Sequence, residues 1–257
     1  MKVDPSEFEH FFRDFPSHCP YGMARWAVYR QVAVREIDPK IYEALILSGC
    51  RRTGNLIYKM ACPGCRECVP IRMEAARVRY NSTQRKIRNK NKDLRVLLSR
   101  PECTEEKLEL YRKFLRLRYP ARRAPDRRDY EDFFVNTCTD TWEVEYRLEG
   151  KIVGVATVDV GEKILNGVYF YFDPDMEKRS PGVYNFIYLT EFCKEKGIPY
   201  FVTGYYIQGL SAMAYKAQFH PHELFMDGAW RRREKAEDPR EKEIYNLFPS
   251  IDHPNPI

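Results

Sequence analysis

Three strand patterns follow one another between residues 141 and 174, and they constrain the fold of this chain more than any other feature. The segments are TWEVEYRLEG, KIVGVATVDVG and ILNGVYFYFDP, each rich in β-branched and aromatic residues, and Glu149-Gly150 is a hairpin signal between the first two. Connections this short join antiparallel neighbours. The sequence therefore predicts an antiparallel meander.

Helical patterns flank this meander on both sides. Thr104 precedes an acidic turn and apolar residues at helical spacing, which predicts a helix as far as Tyr119. A second helix is expected from Pro181 to Lys196, ended by Gly197, and the buried strand IPYFVTGYY and the short helix LSAMAYKAQF follow it. The predicted fold class is α+β with a mostly antiparallel sheet.

The chain has 257 residues, 44% of them hydrophobic, which is enough for a core in one large domain or two joined ones. We divide it into an N-terminal region with the cysteines and a basic segment (1–100), an α+β domain (101–235) and a charged, proline-rich tail (236–257). No stretch approaches the roughly 20 apolar residues that span a bilayer, and the N-terminus is unlike a signal peptide. We therefore expect a cytoplasmic protein that does not contact membranes.

Charge is distributed unevenly along the chain. Residues 1–128 hold 29 Lys and Arg against 15 Asp and Glu, whereas residues 129–257 hold 14 against 22. The densest basic segment runs from Arg77 to Arg100, with nine Lys or Arg and one acid, Asp93. Such a segment neutralises phosphates at low geometric cost and predicts a track for a polyanion such as RNA; a solvated helix face is the alternative. The central cations of the track are Arg85, Lys86, Arg88, Lys90 and Lys92.

Three cysteines form the run CPGCRECVP, a C-x2-C-x2-C spacing that turns at Pro63-Gly64 and directs three thiolates toward one volume. Zinc or an iron-sulfur cluster needs a fourth ligand, and the cysteine in CPYG is a better candidate than Cys50 or His18. Reduced thiols in a tight turn are the alternative. The predicted metal ligands are Cys19, Cys62, Cys65 and Cys68.

Five separated motifs follow one another along the chain. They are CPYG (19–22), GCRRTG with LIYKM (49–60), the cysteine run with PIR and NSTQRKIRN (62–89), YFYFDPD with YNFIYL (169–189), and GYYIQGLSAMAYKAQF (204–219). In this order they resemble the aminoacyl-tRNA-protein transferases over about residues 17–230. The similarity is greatest to the short bacterial branch of aspartate/glutamate leucyltransferases, whose pattern places C-x2-C-x2-C-x-P-x-R before a basic segment.

The resemblance implies a GNAT-like (acetyltransferase-like) C-terminal domain. It also implies a reaction that moves an amino acid from aminoacyl-tRNA to the N-terminal amine of acceptor proteins that begin with Asp or Glu, which marks them for N-end-rule degradation. Leucine is favoured over arginine, because Gln208 stands where the eukaryotic branch has a histidine. Asn166-Gly167 replace two small hydroxyl residues in the wall of the aminoacyl pocket. No nucleotide cofactor is expected.

Three residues are candidates for catalysis. The donor is already an activated ester, so the protein must position two substrates, deprotonate an α-amine and stabilise an oxyanion. Asp159, in the strand TVDVG, is the candidate for holding an amine; a strand-end turn is its alternative role. Tyr205 is a candidate donor to the oxyanion or a stacking surface for the terminal adenine. Packing within a strand is its alternative role. Lys216 would meet a phosphate or the acidic side chain of the acceptor.

Four further residues are candidates for binding substrates. Arg51 and Arg52, in CRRTG, form bidentate pairs with carboxylates and are the first choice for reading an acidic N-terminal residue; contact with tRNA is the alternative. Tyr206 shares the candidate roles of Tyr205. Asn185 lies at the start of a helix whose free N–H groups would meet an anion, with helix capping as its alternative role.

Two other protein classes compete with the transferase. A non-catalytic RNA-binding module stapled by metal would use the same cysteines and the same basic segment. An acetyltransferase that depends on acetyl-CoA would need a glycine-rich Q/R-x-x-G-x-G/A loop at a helix start, and the sequence contains none. The transferase is therefore the leading hypothesis.

Overall fold

The computed structural model describes residues 5–23, 25–120 and 122–234, so the tail predicted for 236–257 lies outside the described residues. These residues form two sheets. The strands of the first sheet are β1 (Arg13–His18), β2 (Trp26–Ala33), β3 (Arg51–Thr53) and β4 (Leu56–Met60). All neighbours in this sheet are antiparallel, in the order β1-β2-β4-β3.

Helix α1 (Pro39–Leu47) connects β2 to β3, where the first sheet meets the second. Asp38 caps it, because its carboxylate accepts two backbone N–H groups of the first turn, and Pro39 occupies a position that needs no hydrogen-bond donor. The buried face of α1 joins one apolar cluster with residues of both sheets. Its members include Leu45, Ile46, Ile57, Ile164 and Val202.

The second sheet has eight strands in the order β12-β11-β5-β10-β9-β8-β7-β6. They are β5 (Val69–Glu74), β6 (Arg95–Ser99), β7 (Thr141–Leu148), β8 (Lys151–Val160), β9 (Ile164–Phe172), β10 (Tyr200–Tyr206), β11 (His222–Met226) and β12 (Ala229–Arg233). Every pair is antiparallel except β9 and β10. The predicted α+β class, mostly antiparallel sheet and meander are thus confirmed. Because β5 and β6 belong to this sheet, the change of sheet falls between β4 and β5 and not at residue 100.

Five α-helices follow α1 among the described residues: α2 (Ser82–Lys90), α3 (Glu105–Arg118), α4 (Arg127–Tyr130), α5 (Pro181–Lys196) and α6 (Ser211–Ala214). Helix α5 packs on the second sheet through Phe186 and Leu189, whereas α3 contributes Tyr111 and Phe114 to a separate aromatic cluster. Each such buried side chain stabilises the fold by about 1.5–3 kcal/mol. None of the described helices has the length and apolar character needed to cross a membrane.

The parallel strands β9 and β10 pair over three residues and then separate. The paired residues of β10 are Tyr200 to Val202, and those of β9 are Ile164 to Asn166. Beyond them the pairing of β10 with β5 shifts around Gly204, whose φ of +97° is a conformation that favours glycine. The strands therefore open a fork, which we define as residues 167–172 of β9 and 203–206 of β10.

Candidate active site

A cavity of about 700 Å³, here called the large cavity, occupies the fork. Its walls also include the end of α3, the segment from residue 174 to 180 and the first turns of α5. Aromatic side chains dominate the lining: Phe114, Tyr119, Tyr169, Phe170, Phe172, Phe186, Phe201 and Tyr215. Size and composition are those of a site for an organic ligand.

The carboxylates on the wall of the large cavity already have cationic partners. Asp175 accepts a hydrogen bond from Lys113 Nζ at 2.7 Å, and Glu177 accepts one from Arg118 at 3.1 Å. These two are the acidic residues among the described lining residues. The large cavity thus offers apolar surface and no unpaired carboxylate from the described part of the chain.

A second cavity of about 100 Å³, the small cavity, adjoins the large one. Five residues line both cavities: Val168, Tyr169, Thr203, Met213 and Lys216. Strands β3 and β4 of the first sheet complete the small cavity, together with β10. Its other lining residues are Tyr21, Arg51, Arg52, Thr53, Tyr58, Phe133, Gly204 and Tyr205. The small cavity therefore lies where the two sheets meet.

Asp159 and Arg52 form a fully buried ion pair, of which Arg52 alone lines the small cavity. The guanidinium donates to both carboxylate oxygens, at 2.5 and 2.8 Å, and Tyr42, Thr141 and Asn166 also donate to the carboxylate. Burial opposes ionisation, but the charge of Arg52 and these hydrogen bonds outweigh it and lower the pKa of Asp159. Asp159 lines neither cavity and the charge of Arg52 is neutralised, so the placement does not agree with roles in holding an amine and reading a carboxylate.

Arg51 and Lys216 lie side by side in the wall of the small cavity. Arg51 donates to the Asn166 side chain at 2.6 Å and to the Gly167 carbonyl at 2.7 Å, and both acceptors are neutral. Lys216 Nζ donates to the carbonyl of Tyr205 at 2.9 Å. Burial, and then the charge of Arg51, lower the pKa of Lys216 to about 7.

The other three sequence candidates occupy different positions. Tyr205 lines the small cavity, and its buried hydroxyl has no hydrogen-bond partner within the described chain. Asn185 lines the large cavity, where its side-chain oxygen accepts from the Tyr146 hydroxyl at 2.8 Å. Tyr206 packs in the main apolar core and lines neither cavity. The structure thus brings Arg51, Lys216 and Tyr205 together and leaves Tyr206 apart.

The basic helix, our name for α2, exposes its cations. Its buried face carries Gln84, while Arg85, Lys86, Arg88 and Lys90 are exposed, as is Lys92 beyond its end. Lys90 donates to the carbonyl of Lys178 at 2.6 Å, and Lys178 lines the large cavity. A cationic surface therefore leads from the basic helix to the mouth of the large cavity.

The four predicted metal ligands lie near one another beside the first sheet. Burial, and then the thiols of Cys62, Cys65 and Cys19, raise the pKa of Cys68 to about 12. Mutual repulsion of this kind places the four sulfur atoms close enough to influence one another. Within 5–23, 25–120 and 122–234, no three Cys, His, Asp or Glu side chains are arranged to hold one metal ion. The metal stays a prediction, and no step proposed below uses one.

Among the residues that line the large cavity, the sequence singled out Gly167, Asn185 and Lys216 and missed most of the others. Thr203, Tyr169 and Tyr215 line it, but in the sequence they belong to ordinary strand or helix patterns. Lys178 and Arg118 are ordinary surface cations by pattern. The one available signal was the glycine inside the strand segment IPYFVTGYY, since an isolated glycine in a strand indicates a bulge or a close approach.

Comparison with known proteins gives matches over most of the chain. Residues 17–86 match the family model "Arginine-tRNA-protein transferase, N terminus", and residues 106–226 match "Arginine-tRNA-protein transferase, C terminus". An aspartate/glutamate leucyltransferase of Marinobacter nauticus is 34% identical, over 86% of this chain and 94% of the relative. One from Acinetobacter baumannii is 32% identical, over 81% of this chain and 78% of the relative.

Solved structures of similar fold have low sequence identity. One is L-PGS from Bacillus licheniformis, with a TM-score of 0.46 and 12% identity over 81% of this chain and 72% of the other. Another is the ribosomal-protein-S18-alanine N-acetyltransferase from Escherichia coli, with a TM-score of 0.36 and 15% identity over 48% of this chain and 76% of the other. These similarities concern the fold alone.

The α+β fold with a cavity between two diverging strands, together with both family models, defines the class of protein. The chain is an aminoacyltransferase. It belongs to the aminoacyl-tRNA-protein transferase family, and relatives that cover most of its length include bacterial aspartate/glutamate leucyltransferases.

Proposed function

We propose that this enzyme transfers leucine from leucyl-tRNA to the N-terminal α-amine of proteins that begin with Asp or Glu, and that the product is marked for N-end-rule degradation. The relatives are named aspartate/glutamate leucyltransferases, which supports leucine as the transferred residue and Asp or Glu as the acceptor residue. The observation that carries the proposal is the large cavity in the fork, which is open to a cationic surface on one side and joined to a small polar cavity on the other.

The lining of the large cavity favours leucine as the transferred residue. Its aromatic and aliphatic walls match a branched aliphatic side chain, whose burial is worth about 1.5–3 kcal/mol. An arginyl side chain would bring a guanidinium into a wall whose two carboxylates, Asp175 and Glu177, are already paired. Both carboxylates are largely exposed to solvent, so they would give a guanidinium little additional stabilisation.

The basic helix supports the use of tRNA as the donor. Its exposed cations neutralise phosphates without reading sequence, which suits a helical RNA stem. The hydrogen bond from Lys90 to the carbonyl of Lys178 ties this helix to the rim of the large cavity. A tRNA held there would have its aminoacylated end near the cavity.

The chemistry then requires little beyond placing the two substrates. The α-amine attacks the ester carbonyl, a new C–N bond forms, the C–O bond to the ribose breaks, and the ribose oxygen takes a proton that the amine releases. An α-amine has a pKa of about 8, so roughly a tenth of it is neutral at pH 7. Holding amine and ester together removes most of the entropic barrier. The buried pair of Arg52 and Asp159 positions β3 against β8 for this purpose.

A transfer assay with two donors tests the proposal. Radiolabelled leucyl-tRNA or arginyl-tRNA is incubated with the protein and a peptide that begins with Asp or Glu, and an N-acetylated peptide is the control. We expect label from leucyl-tRNA, at least about 30-fold faster than from arginyl-tRNA, and none on the acetylated peptide. Binding of tRNA with no transfer from either donor would favour the non-catalytic RNA-binding module. Faster decay in cells of a reporter that begins with Glu, when the enzyme is present, tests the link to degradation.

A further inference from the structure

The small cavity holds more positive charge than its surroundings neutralise. Arg52 is balanced by Asp159, but Arg51 and Lys216 have neutral acceptors only in the described contacts. The exposed fractions of Arg51 and Lys216 are 5% and 8%, so water does little to compensate their charges. No described residue on the wall of the small cavity is an Asp or a Glu. Buried cations without a counter-charge are costly, which indicates that an anion belongs in this cavity.

Gly204 is what allows the two cations to approach each other. A Cβ atom at this position would lie 3.3 Å from Nη2 of Arg51 and 3.3 Å from Nζ of Lys216. Such distances are tighter than ordinary van der Waals contact, so a side chain would push one cation aside. Tyr205 lines the same cavity, and its buried hydroxyl, which has no hydrogen-bond partner in the described chain, is a neutral donor.

The position of the small cavity limits which anion fits. Its volume of about 100 Å³ suits a short acidic side chain, and the polar groups on its wall suit a planar carboxylate. It shares Thr203 and Lys216 with the large cavity. Only three bonds separate the carboxylate carbon of an aspartate from its own α-amine nitrogen. A carboxylate in the small cavity therefore places that amine at the border of the large cavity, where the ester lies.

We propose that Arg51, Lys216 and the Tyr205 hydroxyl form the subsite that binds the side-chain carboxylate of the acceptor's first residue. This inference rests on the proposed function. It assigns recognition of the acidic side chain to Arg51 together with Lys216. Arg52 is not part of the subsite, because Asp159 neutralises its charge. The same two cations repel acceptors that begin with Lys or Arg, so the subsite selects by repulsion as well as by attraction.

Transfer kinetics with matched acceptors test this subsite. Lys216→Met removes the charge and keeps a similar side-chain length, and Lys196→Met, on the exposed end of α5, is the matched control. Peptides begin with Asp or with its neutral isostere Asn. We expect Lys216→Met to lower kcat/KM for the Asp peptide by about 30-fold or more, to leave the Asn peptide within about threefold, and to leave the KM for leucyl-tRNA unchanged. Lys196→Met changes none of these values.

The outcomes separate this inference from the function on which it rests. If the unmutated enzyme transfers no leucine, the proposed function fails. If it transfers leucine but Lys216→Met lowers the Asp and Asn peptides equally, or raises the KM for leucyl-tRNA with every acceptor, the subsite is wrong while the function stands. Calorimetry of the full chain with the dipeptide Asp-Ala, without tRNA, is independent of turnover. It should show binding that Asn-Ala lacks and that Lys216→Met abolishes, and equal binding of both dipeptides overturns the subsite.

Discussion

Two adjacent arginines on β3 carry the same charge and have different environments. Arg52 is neutralised by Asp159 inside the protein and donates hydrogen bonds to both of its carboxylate oxygens. Arg51 is anchored by neutral oxygens of Asn166 and Gly167, which hold its guanidinium without consuming its charge. Arg52 therefore stabilises the structure, whereas the charge of Arg51 remains available to a ligand.

Replacing Asp159 by Asn should destabilise the protein strongly. The substitution leaves the Arg52 guanidinium buried and unpaired, which costs about 3–5 kcal/mol of unfolding free energy. Denaturant unfolding measures the loss. Asp14→Asn is the matched control, because the Arg30–Asp14 pair lies on the surface and its removal should shift the midpoint little. Equal shifts for both variants would contradict the structural role of Asp159.

Acid recognition should weaken as the pH rises through about 7. Burial, and then the charge of Arg51, lower the pKa of Lys216 to about 7, so its ammonium in the empty site loses its proton above that pH. The phenols of Tyr21, Tyr58 and Tyr205, which line the same cavity, have pKa values raised above 10 and stay neutral. Above pH 7 a carboxylate must therefore recruit a proton to bind, at a cost of about tenfold in affinity per pH unit.

The ratio of kcat/KM for the Asp peptide to that for the Asn peptide measures this effect between pH 6 and 9. The α-amines of the two peptides are titrated separately, and each kcat/KM is divided by its neutral fraction before the ratio is taken, because the Asp carboxylate raises the pKa of its own amine. We expect the ratio to fall with rising pH in the unmutated enzyme. In Lys216→Arg, where the charge persists at all these pH values, we expect a ratio that does not fall. A ratio independent of pH in the unmutated enzyme would argue against proton uptake by Lys216.

At the scale of elements, the register shift in β10 shapes the small cavity. Gly204 lies in the register shift with a φ of +97° and under both cations of the small cavity. Gly204→Ala should cost about 1–3 kcal/mol in backbone strain and should also reduce transfer to the Asp peptide. Gly228→Ala is the matched control, since its φ is +76° and no atom lies within 4 Å of its Cβ position. Similar losses of transfer in both variants would mean that strain alone acts.

The basic helix should determine how strongly tRNA binding depends on salt. Arg85, Lys86 and Arg88 are exposed, and each phosphate contact that they make contributes about 0.7–0.9 to the slope of log K against log salt. Replacing all three by Ala should weaken tRNA binding and flatten the slope by about 2, as measured by filter binding. Lys196→Ala, on α5, serves as a control with an unchanged slope. An unchanged slope in the triple variant would place the tRNA elsewhere.

Local signals in the sequence explain which elements could be predicted. The meander β7 to β9 has short connections, and α3 follows Thr104, whose side chain caps it as expected. Helix α1 has a similar local signal, because Asp38 caps it. Strand β1 is exposed along its whole length and contains Pro16, so it has no alternating pattern and gave no signal. The fork is a loss of pairing between distant segments, which no local pattern encodes.

The candidate site was predictable in its residues and not in its pairings. Arg51, Lys216 and Tyr205 were identified by residue type and motif, and the structure brings them to one cavity. The partnership of Arg52 and Asp159 joins residues 107 positions apart. Only the three-dimensional packing of β3 against β8 determines which arginine is neutralised.

On the scale of the whole molecule, the proposed reaction assigns one cavity to each substrate. The large cavity lies beside the basic helix, whereas strands β3 and β4 of the first sheet form part of the wall of the small one. Among the described lining residues of the large cavity, hydroxyls such as Ser180 and Thr203 have no histidine beside them to activate a nucleophile. In the reaction proposed above, the acceptor amine attacks directly while both substrates are bound, without a covalent enzyme intermediate.

Initial-velocity kinetics should show this ternary complex. With leucyl-tRNA and an Asp peptide both varied, we expect double-reciprocal lines that intersect, because both substrates must occupy their cavities before transfer. Uncharged tRNA should compete with leucyl-tRNA and not with the peptide, because it occupies the basic helix and leaves the small cavity free. Parallel lines, or labelled leucine on the protein in the absence of peptide, would instead indicate a covalent intermediate. The matched control is Lys196→Met, which should retain the intersecting pattern because its side chain lines neither cavity.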